Sequence, residues 1–326
     1  MGMGWYVARR VLWAVIVTVF TLTIIWGFLL ATPDPQAQQL AFQAAQSGDV
    51  GTAQSAAEAQ ATCGGERSLW DCYRTYMTNM LTFNWGWSES RSQPVVEAIL
   101  EAWPYSLMYA VPSILLSMIL GLLIGFYSAV KQHTRRDEAA TFLAFFGYSI
   151  PNFWFGIILL VMFGGWLNLV PVLYDPNVPV LSFRNFQQNA LPIFVLTTGG
   201  MAGLMRYSRA QALEYVGAEF VKTARAKGAS ENRILFRHIL RPALAPLATI
   251  LVADLLGILL AASFLIEVVF GIPGLGRLGF RAIIAQDTAL VLGTSLIPIF
   301  LAVIGNLLQD IAYTVLDPRI DYGDRT

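Results

Sequence analysis

Residues 219–244 read EFVKTARAKGASENRILFRHILRPAL, the densest positive charge in a chain that is otherwise mostly apolar. Lys222, Arg225, Lys227, Arg233, Arg237 and Arg241 face only Glu219 and Glu231 here, and long apolar runs lie on both sides. Tyr215, Val216, Phe220 and Ala224 supply the apolar positions of a first short helix, which Gly228 interrupts. Ser230 is placed to cap a second helix, with Glu231 in its first turn and Ile234, Leu235, Ile239 and Leu240 following. The pattern predicts helix, tight turn, helix. At such a turn glycine either adopts a positive φ or lets the backbone approach a partner closely; an ordinary helix C-cap needs glycine just as well.

The flanking runs fix the setting. The 326 residues are 56% hydrophobic and 13% charged, with a mean hydropathy of +0.57, whereas soluble domains carry about a quarter charged residues. This composition is that of a membrane protein. A net charge of zero gives no overall field to attract nucleic acid or an acidic substrate. A bilayer span needs about 20 mostly apolar residues, and six runs qualify: residues 11–30, 105–130, 139–166 with an interruption at Pro151, 191–205, 243–266 and 289–308. The fourth is short and is expected to continue as a helix beyond Arg206. The fold class is therefore all-α and polytopic, with six transmembrane helices. The chain divides into a tail and first span (1–30), an extracytoplasmic insertion (31–103), a five-span core (104–318) holding the basic segment at about 214–242, and a tail (319–326).

Loop charge sets the orientation. With the N-terminus inside, fifteen of the 21 Lys and Arg residues are cytoplasmic, and only Arg67, Arg74, Arg91, Arg184, Arg277 and Arg281 are outside. Both termini and the basic segment then face the cytoplasm. The first run follows two arginines as a signal peptide would, but it is longer than the usual apolar core of one and is read as a retained anchor.

The external segment opens with QAQQLAFQAAQSGDVGTAQSAAEAQA (36–61), which reads as an exposed helix or helical hairpin. It also holds the only two cysteines, Cys63 and Cys72. Outside the cell they can form a disulfide, with free thiols the alternative; both histidines, His133 and His238, fall on the cytoplasmic side, so a metal site is not expected. Two glycine pairs, Gly121/Gly125 and Gly199/Gly203, have the GxxxG spacing that lets helices pack closely, within this chain or against a second one.

Four roles compete for the basic segment. A phosphate-binding P-loop requires G-x-x-x-x-G-K-[ST]; counted from Gly217, Val221 stands where the second glycine must be, and none of the three lysines fits. A solvated positive-inside loop predicts no helical pattern. A membrane-surface helix would continue where Gly228 interrupts. A helix pair presenting a shaped face to a soluble partner matches the layout best.

Residues 215–244, YVGAEFVKTARAKGASENRILFRHILRPAL, resemble the EAA loop, the cytoplasmic coupling loop of ATP-binding-cassette importer permeases, in the form found in the dipeptide/oligopeptide branch, where TARAKG is typical. SIPNFWFGIILL (149–160), EVVFGIPGLGRL (267–278) and LDPRI (316–320) are similar to that family in the same order, so the resemblance covers most of residues 92–320. Lys222, Thr223 and Ala224 stand at the Glu-Ala-Ala positions, and Pro242 is one residue from the usual proline. The segment 31–91 resembles no family pattern.

The resemblance implies a type I importer permease fold and a chain that is not itself an enzyme. Lys222, Thr223, Ala224, Arg225, Ala226, Lys227, Gly228 and Ser230 would contact a separate ATPase subunit. Two such subunits would bind ATP and Mg, leaving this chain without a cofactor or metal of its own. A second homologous permease would complete the pore in a prokaryotic cytoplasmic membrane, and an extracytoplasmic binding protein would deliver the substrate. Oligopeptides are the expected cargo, with sugar oligomers the alternative.

GIPGLGRL (271–278), with Pro273 and three glycines, is too irregular to span and should form a re-entrant or surface loop near the pore mouth. Its role is gating or receiving the binding protein, with a plain connecting turn the alternative; Glu267, Pro273, Gly274, Gly276 and Arg277 are candidates for the pore or gate. Asp254, in the middle of the fifth run, is a candidate pore residue or an interhelical hydrogen-bonding group. Asn306 and Asp310 are assigned to helix packing, and Asn152 to backbone groups freed by Pro151. A stand-alone secondary transporter would favour inverted repeats and several paired intramembrane charges, but only Asp254 lies clearly at mid-membrane. An intramembrane aspartyl protease needs two facing aspartates, whereas Asp254 and Asp310 differ in depth.

Overall fold

The computed structural model describes residues 3–31, 68–243 and 264–316. The Ala/Gln-rich segment, Cys63, Asp254 and nearly all of the fifth apolar run lie outside the described residues. Two compact units emerge: residues 4–102 with 278–304, and residues 103–277 with 1–3 and 305–326.

In the unit containing residues 4–102, α1 (Met3–Ala31) is apolar on every side beyond Arg9 and Arg10, and only 6% of its most hydrophobic window is buried. That pattern fits lipid or a partner as its surroundings better than a protein core. α2 (Leu69–Leu81) begins at Ser68, whose hydroxyl accepts from the Asp71 N–H, and it buries Cys72 and Met80. Tyr73 joins α2 to α1. Its ring lies edge-on to Trp26 at 5.1 Å, and its hydroxyl is 2.8 Å from that of Thr23. A two-stranded antiparallel ribbon follows, β1 (Trp87–Ser88) with β2 (Gln93–Pro94). It is fastened to Asp287, which accepts from the Ser88 and Ser90 hydroxyls at 2.7 Å and from the Ser90 N–H at 3.0 Å.

The remaining helices are α3 (Val95–Val130), α4 (Arg135–Ser149), α5 (Asn152–Leu159, continued in π-helical turns to Trp166), α6 (Phe183–Val216), α7 (Glu219–Ala226), α8 (Glu231–Arg233, continued in π-helical turns over Ile234–Ile239), α9 (Phe264–Phe270), α10 (Leu275–Ile284) and α11 (Thr288–Leu316). By length and composition, Gly4–Ala31, Val95–Val130 and Thr288–Ile311 can each cross a membrane.

Three expectations change. The second apolar run enters its helix at Val95 rather than near residue 105, with Pro104 and Pro112 inside the helix. The third run is interrupted at Pro151, as expected, and what changes is its geometry, because the two halves are not collinear. Pro151 holds Ile150 in extended backbone, φ −93° and ψ 126°, as the residue before proline prefers, and the two arms meet at 100°. Each arm has 15 residues, about 22 Å at 1.5 Å per residue, which is short of the roughly 30 Å hydrocarbon core. Third, the irregular part of GIPGLGRL is confined to Gly271–Gly274, because α10 begins at Leu275. The fourth run does continue past Arg206, as an unbroken helix to Val216.

α6 organises the unit containing residues 103–277. A Cβ on Gly125 of α3 would collide with the Ser208 hydroxyl and lie 2.5 Å from the Met205 carbonyl oxygen, while one on Gly121 would come within 3.0 Å of Leu204. That glycine pair therefore packs within the chain. In the second pair, Gly199 receives the Asn152 side chain, whereas Gly203 has no neighbour within 4 Å. α4 runs antiparallel along α6: Gly147 abuts the Thr198 carbonyl, Ala144 packs with Ala202 and Met205, and Arg206 covers the Tyr148 ring at 4.9 Å.

Candidate functional site

The basic segment folds into two short helices around a tight turn. α7 closes with a Schellman motif: the Gly228 N–H donates to the Arg225 carbonyl and the Ala229 N–H to the Ala224 carbonyl, both near 3.0 Å. This bond pair requires a left-handed residue at the turn, and Gly228 has φ +78°. A Cβ there would meet nothing within 4 Å, so the backbone angle, not crowding inside the chain, calls for glycine. Ser230 caps α8 by accepting from the Arg233 N–H.

The segment presents its charge outward and its aliphatic residues inward. Lys222, Thr223, Arg225, Ala226, Lys227, Gly228 and Ser230 are exposed and Ala224 is half-buried, so all eight residues read as partner contacts share one protruding knob. Beneath it Val221, Ile234 and Ile239 are fully buried against Phe126 and Ala129 of α3 and Ala212 of α6. Each such side chain contributes about 1.5–3 kcal/mol. The Arg225–Glu231 ion pair across the turn, 3.4 Å with both side chains about half exposed, adds less than about 1 kcal/mol. The apolar base therefore holds the knob in place. Of the apolar positions the sequence supplies to the first helix, Phe220 is 47% exposed, and Val221 is the residue buried at the base of the knob.

The second set of candidates converges on Glu267. It is 0% exposed; Oε1 accepts from the Ser106 hydroxyl at 2.6 Å and the Tyr109 hydroxyl at 2.8 Å, and Oε2 from the Arg277 N–H at 2.7 Å. Ser106 also accepts from the Leu275 N–H at 2.9 Å. The carboxyl thus receives the first turn of α10, where free N–H groups and the helix dipole favour an acceptor. Gly274 leaves the space this requires: a Cβ there would strike the Glu267 carboxyl and stand 2.5 Å from the Ser106 hydroxyl. The Arg277 guanidinium donates to the Gly271 carbonyl, closing the turn around Pro273.

Glu267, one of the pore or gate candidates, is buried and pins the Gly271–Gly274 turn to α3 and α10. Ser106 and Tyr109 were not marked by the sequence, because a Ser and a Tyr three residues apart on an apolar helix resemble ordinary packing residues. Asp254 and Cys63 lie outside the described residues. Asp310 is half-buried on α11 and Asn306 is exposed there.

Residues 121–322 match the family described as binding-protein-dependent transport system inner membrane component. The chain is 36% identical over 253 residues to the oligopeptide transport system permease protein AppB of Bacillus subtilis (strain 168), covering 77% of this chain and 80% of that one. It is 31% identical over 258 residues to the dipeptide transport system permease protein DppB of Lactococcus lactis subsp. cremoris (strain MG1363), covering 79% and 82%. Its fold is similar to a chain of the inward-facing MetNI methionine ABC transporter, with a TM-score of 0.52 at 16% identity, over 68% of this chain and 97% of that one. Apolar helices, an outward-facing basic knob and a family match over more than half its length place this chain among the binding-protein-dependent transport system inner membrane components, as a membrane-embedded permease subunit.

Proposed function

We propose that this chain forms half of the translocation pathway of an ATP-driven importer for oligopeptides or dipeptides, and that the Gly228 knob is its docking element for an ATPase subunit. The observation that carries the reading is the knob itself. Its charged residues and glycine turn face outward, while its aliphatic residues are locked onto the ends of α3 and α6. A push at Gly228 is thereby delivered to long helices instead of being lost in a loose loop. The peptide class rests on relatives named as oligopeptide and dipeptide permeases.

In this reading six helices cross a prokaryotic cytoplasmic membrane, the fifth over residues 243–266, and both termini are cytoplasmic. A second homologous permease completes the pore, two ATPase subunits bind ATP and Mg, and an extracytoplasmic binding protein supplies the substrate. Nucleotide-driven approach of the ATPases draws the knobs together and rocks the helices between inward-open and outward-open states. The Glu267-pinned turn serves as the fixed part of the gate, and Cys63–Cys72 braces the extracytoplasmic segment.

Affinity purification of the tagged chain in mild detergent tests this directly. Recovery of a second permease and P-loop ATPases, with a cross-link from Ser230→Cys to an ATPase, is expected. A chain that purifies alone and drives ion-coupled uptake in liposomes would overturn the reading.

A further inference from the structure

Three helices of the unit containing residues 103–277 meet at one carboxylate. Asp137, in the first turn of α4, is 5% exposed. Arg209 of α6 grips it as a fork, with Nε 3.1 Å from Oδ1 and the terminal nitrogen 3.0 Å from Oδ2. Ser128, near the end of α3, donates to Oδ1 and accepts from Arg209 Nε at 3.0 Å. The His133 N–H donates to Oδ2 at 3.1 Å. Both carboxylate oxygens are thus occupied, and the end of α3, the start of α4 and the last quarter of α6 are tied at a single point.

A buried ion pair adds little net stability, because desolvating both charges offsets their attraction. A forked arginine–carboxylate contact does fix orientation as well as distance. The position of this contact gives that property a use. Arg209 is seven residues before the end of α6 at Val216, about 10 Å along the helix. The apolar base of the knob uses the same two helices at neighbouring positions, Phe126 and Ala129 around Ser128, and Ala212 one turn beyond Arg209. Beyond the contact, α4 follows α6 through Ala144 and Gly147 to the 100° bend.

We infer that Ser128, Asp137 and Arg209 are positioning residues that make the knob, the end of α3, α4 and α6 move as one body, so that displacement of the knob reaches the bend at Pro151. The inference rests on the docking reading of the knob. With the clamp open, the knob can move while α4 stays behind, and ATP is hydrolysed without delivery of substrate.

The test uses the complete transporter recovered with the tagged chain and reconstituted in liposomes, with Cys63 and Cys72 replaced by serine and nitroxide labels at Glu138→Cys on α4 and Glu214→Cys on α6. In the parent protein the distance between labels is narrow and unchanged when ATP is trapped. In Asp137→Asn it broadens, and substrate delivered per ATP hydrolysed falls about tenfold. The double variant Asp137→Leu/Arg209→Met leaves no charge unpaired, so the fold and the complex persist. The same broad distance and low ratio are expected there, which a role limited to burying charge does not predict. A double variant with the parental distance and ratio overturns the clamp. If the parent chain makes no ATPase contact through Ser230→Cys, the docking reading fails, and the delivery half of the inference fails with it.

Discussion

Replacing Glu267 with alanine should release the Gly271–Gly274 turn. The side chain is fully buried, and Ser106, Tyr109 and the Arg277 N–H donate to it, as does the Gly276 N–H. Alanine removes the acceptor that Glu267 offers the Tyr109 hydroxyl and the Arg277 N–H, at about 1–3 kcal/mol each. Ser106 is spared, since it can turn and still accepts from the Leu275 N–H. The expected cost of local opening is about 2–6 kcal/mol, a factor of roughly 30 to 20,000 at 1.4 kcal/mol per tenfold. Glutamine keeps the shape and one acceptor for the Arg277 N–H, and Ser106 can rotate to accept from its amide. Its cost should be about 1–2 kcal/mol, or roughly tenfold. Hydrogen exchange of the 271–278 amides, followed by mass spectrometry of the chain in lipid nanodiscs, reads this opening. Parental exchange in Glu267→Ala, or faster exchange in Glu267→Gln than in Glu267→Ala, would refute the assignment of this carboxyl as the pin.

Gly228→Ala should cost about 1 kcal/mol through its φ of +78° and leave uptake largely intact, whereas Gly228→Asp should abolish uptake while the chain still inserts and ATP is still hydrolysed; normal uptake by the aspartate variant would exclude docking at this turn. Gly125→Ala forces a methyl into the Ser208 hydroxyl and the Met205 carbonyl. It should destabilise the α3–α6 contact by about 1–3 kcal/mol, seen as a lower midpoint in thermal unfolding, while Gly203→Ala, with no neighbour within 4 Å, should have no such effect. Burial raises the pKa of Asp287, but hydrogen bonds from Ser88, Ser90 and the Leu290 N–H outweigh it, and the carboxyl titrates below its usual range. A depressed folded pKa stabilises above the unfolded value, near 3.9, and that stabilisation is lost as pH falls through the folded pKa. Protection of the Ser90 amide, taken relative to the intrinsic exchange rate at each pH, should therefore be high at neutral pH, fall below about pH 4, and be low at every pH in Asp287→Asn.

What the sequence revealed and what it hid divide by the range of the interaction. The knob was legible because its signals are local: Gly228 lies two residues beyond Ala226, Ser230 stands before Glu231, and helix stop and start signals act within one turn. Val221 rather than Phe220 is buried at the base of the knob, because Gly217 and Ala218 break α6 from α7 and reset the helical phase. Pro151 marked a break, but only the contact partners of α4 and α5 set its 100° angle. Asp137 shows the limit most clearly. Three residues after Thr134 it reads as a helix-capping residue, and its N–H does bond the Thr134 hydroxyl at 3.4 Å. Its carboxylate is taken by Arg209, 72 positions away, and nothing local distinguishes that arginine from the other basic residues of the positive-inside pattern. Charge counting treats all fifteen such residues alike, yet one of them is forked onto a buried carboxylate beneath the knob while most of its neighbours on the knob are exposed. Charge counting therefore conceals the arginine that joins α6 to the start of α4 and the end of α3, and only the fold sets it apart from the exposed basic residues of the knob.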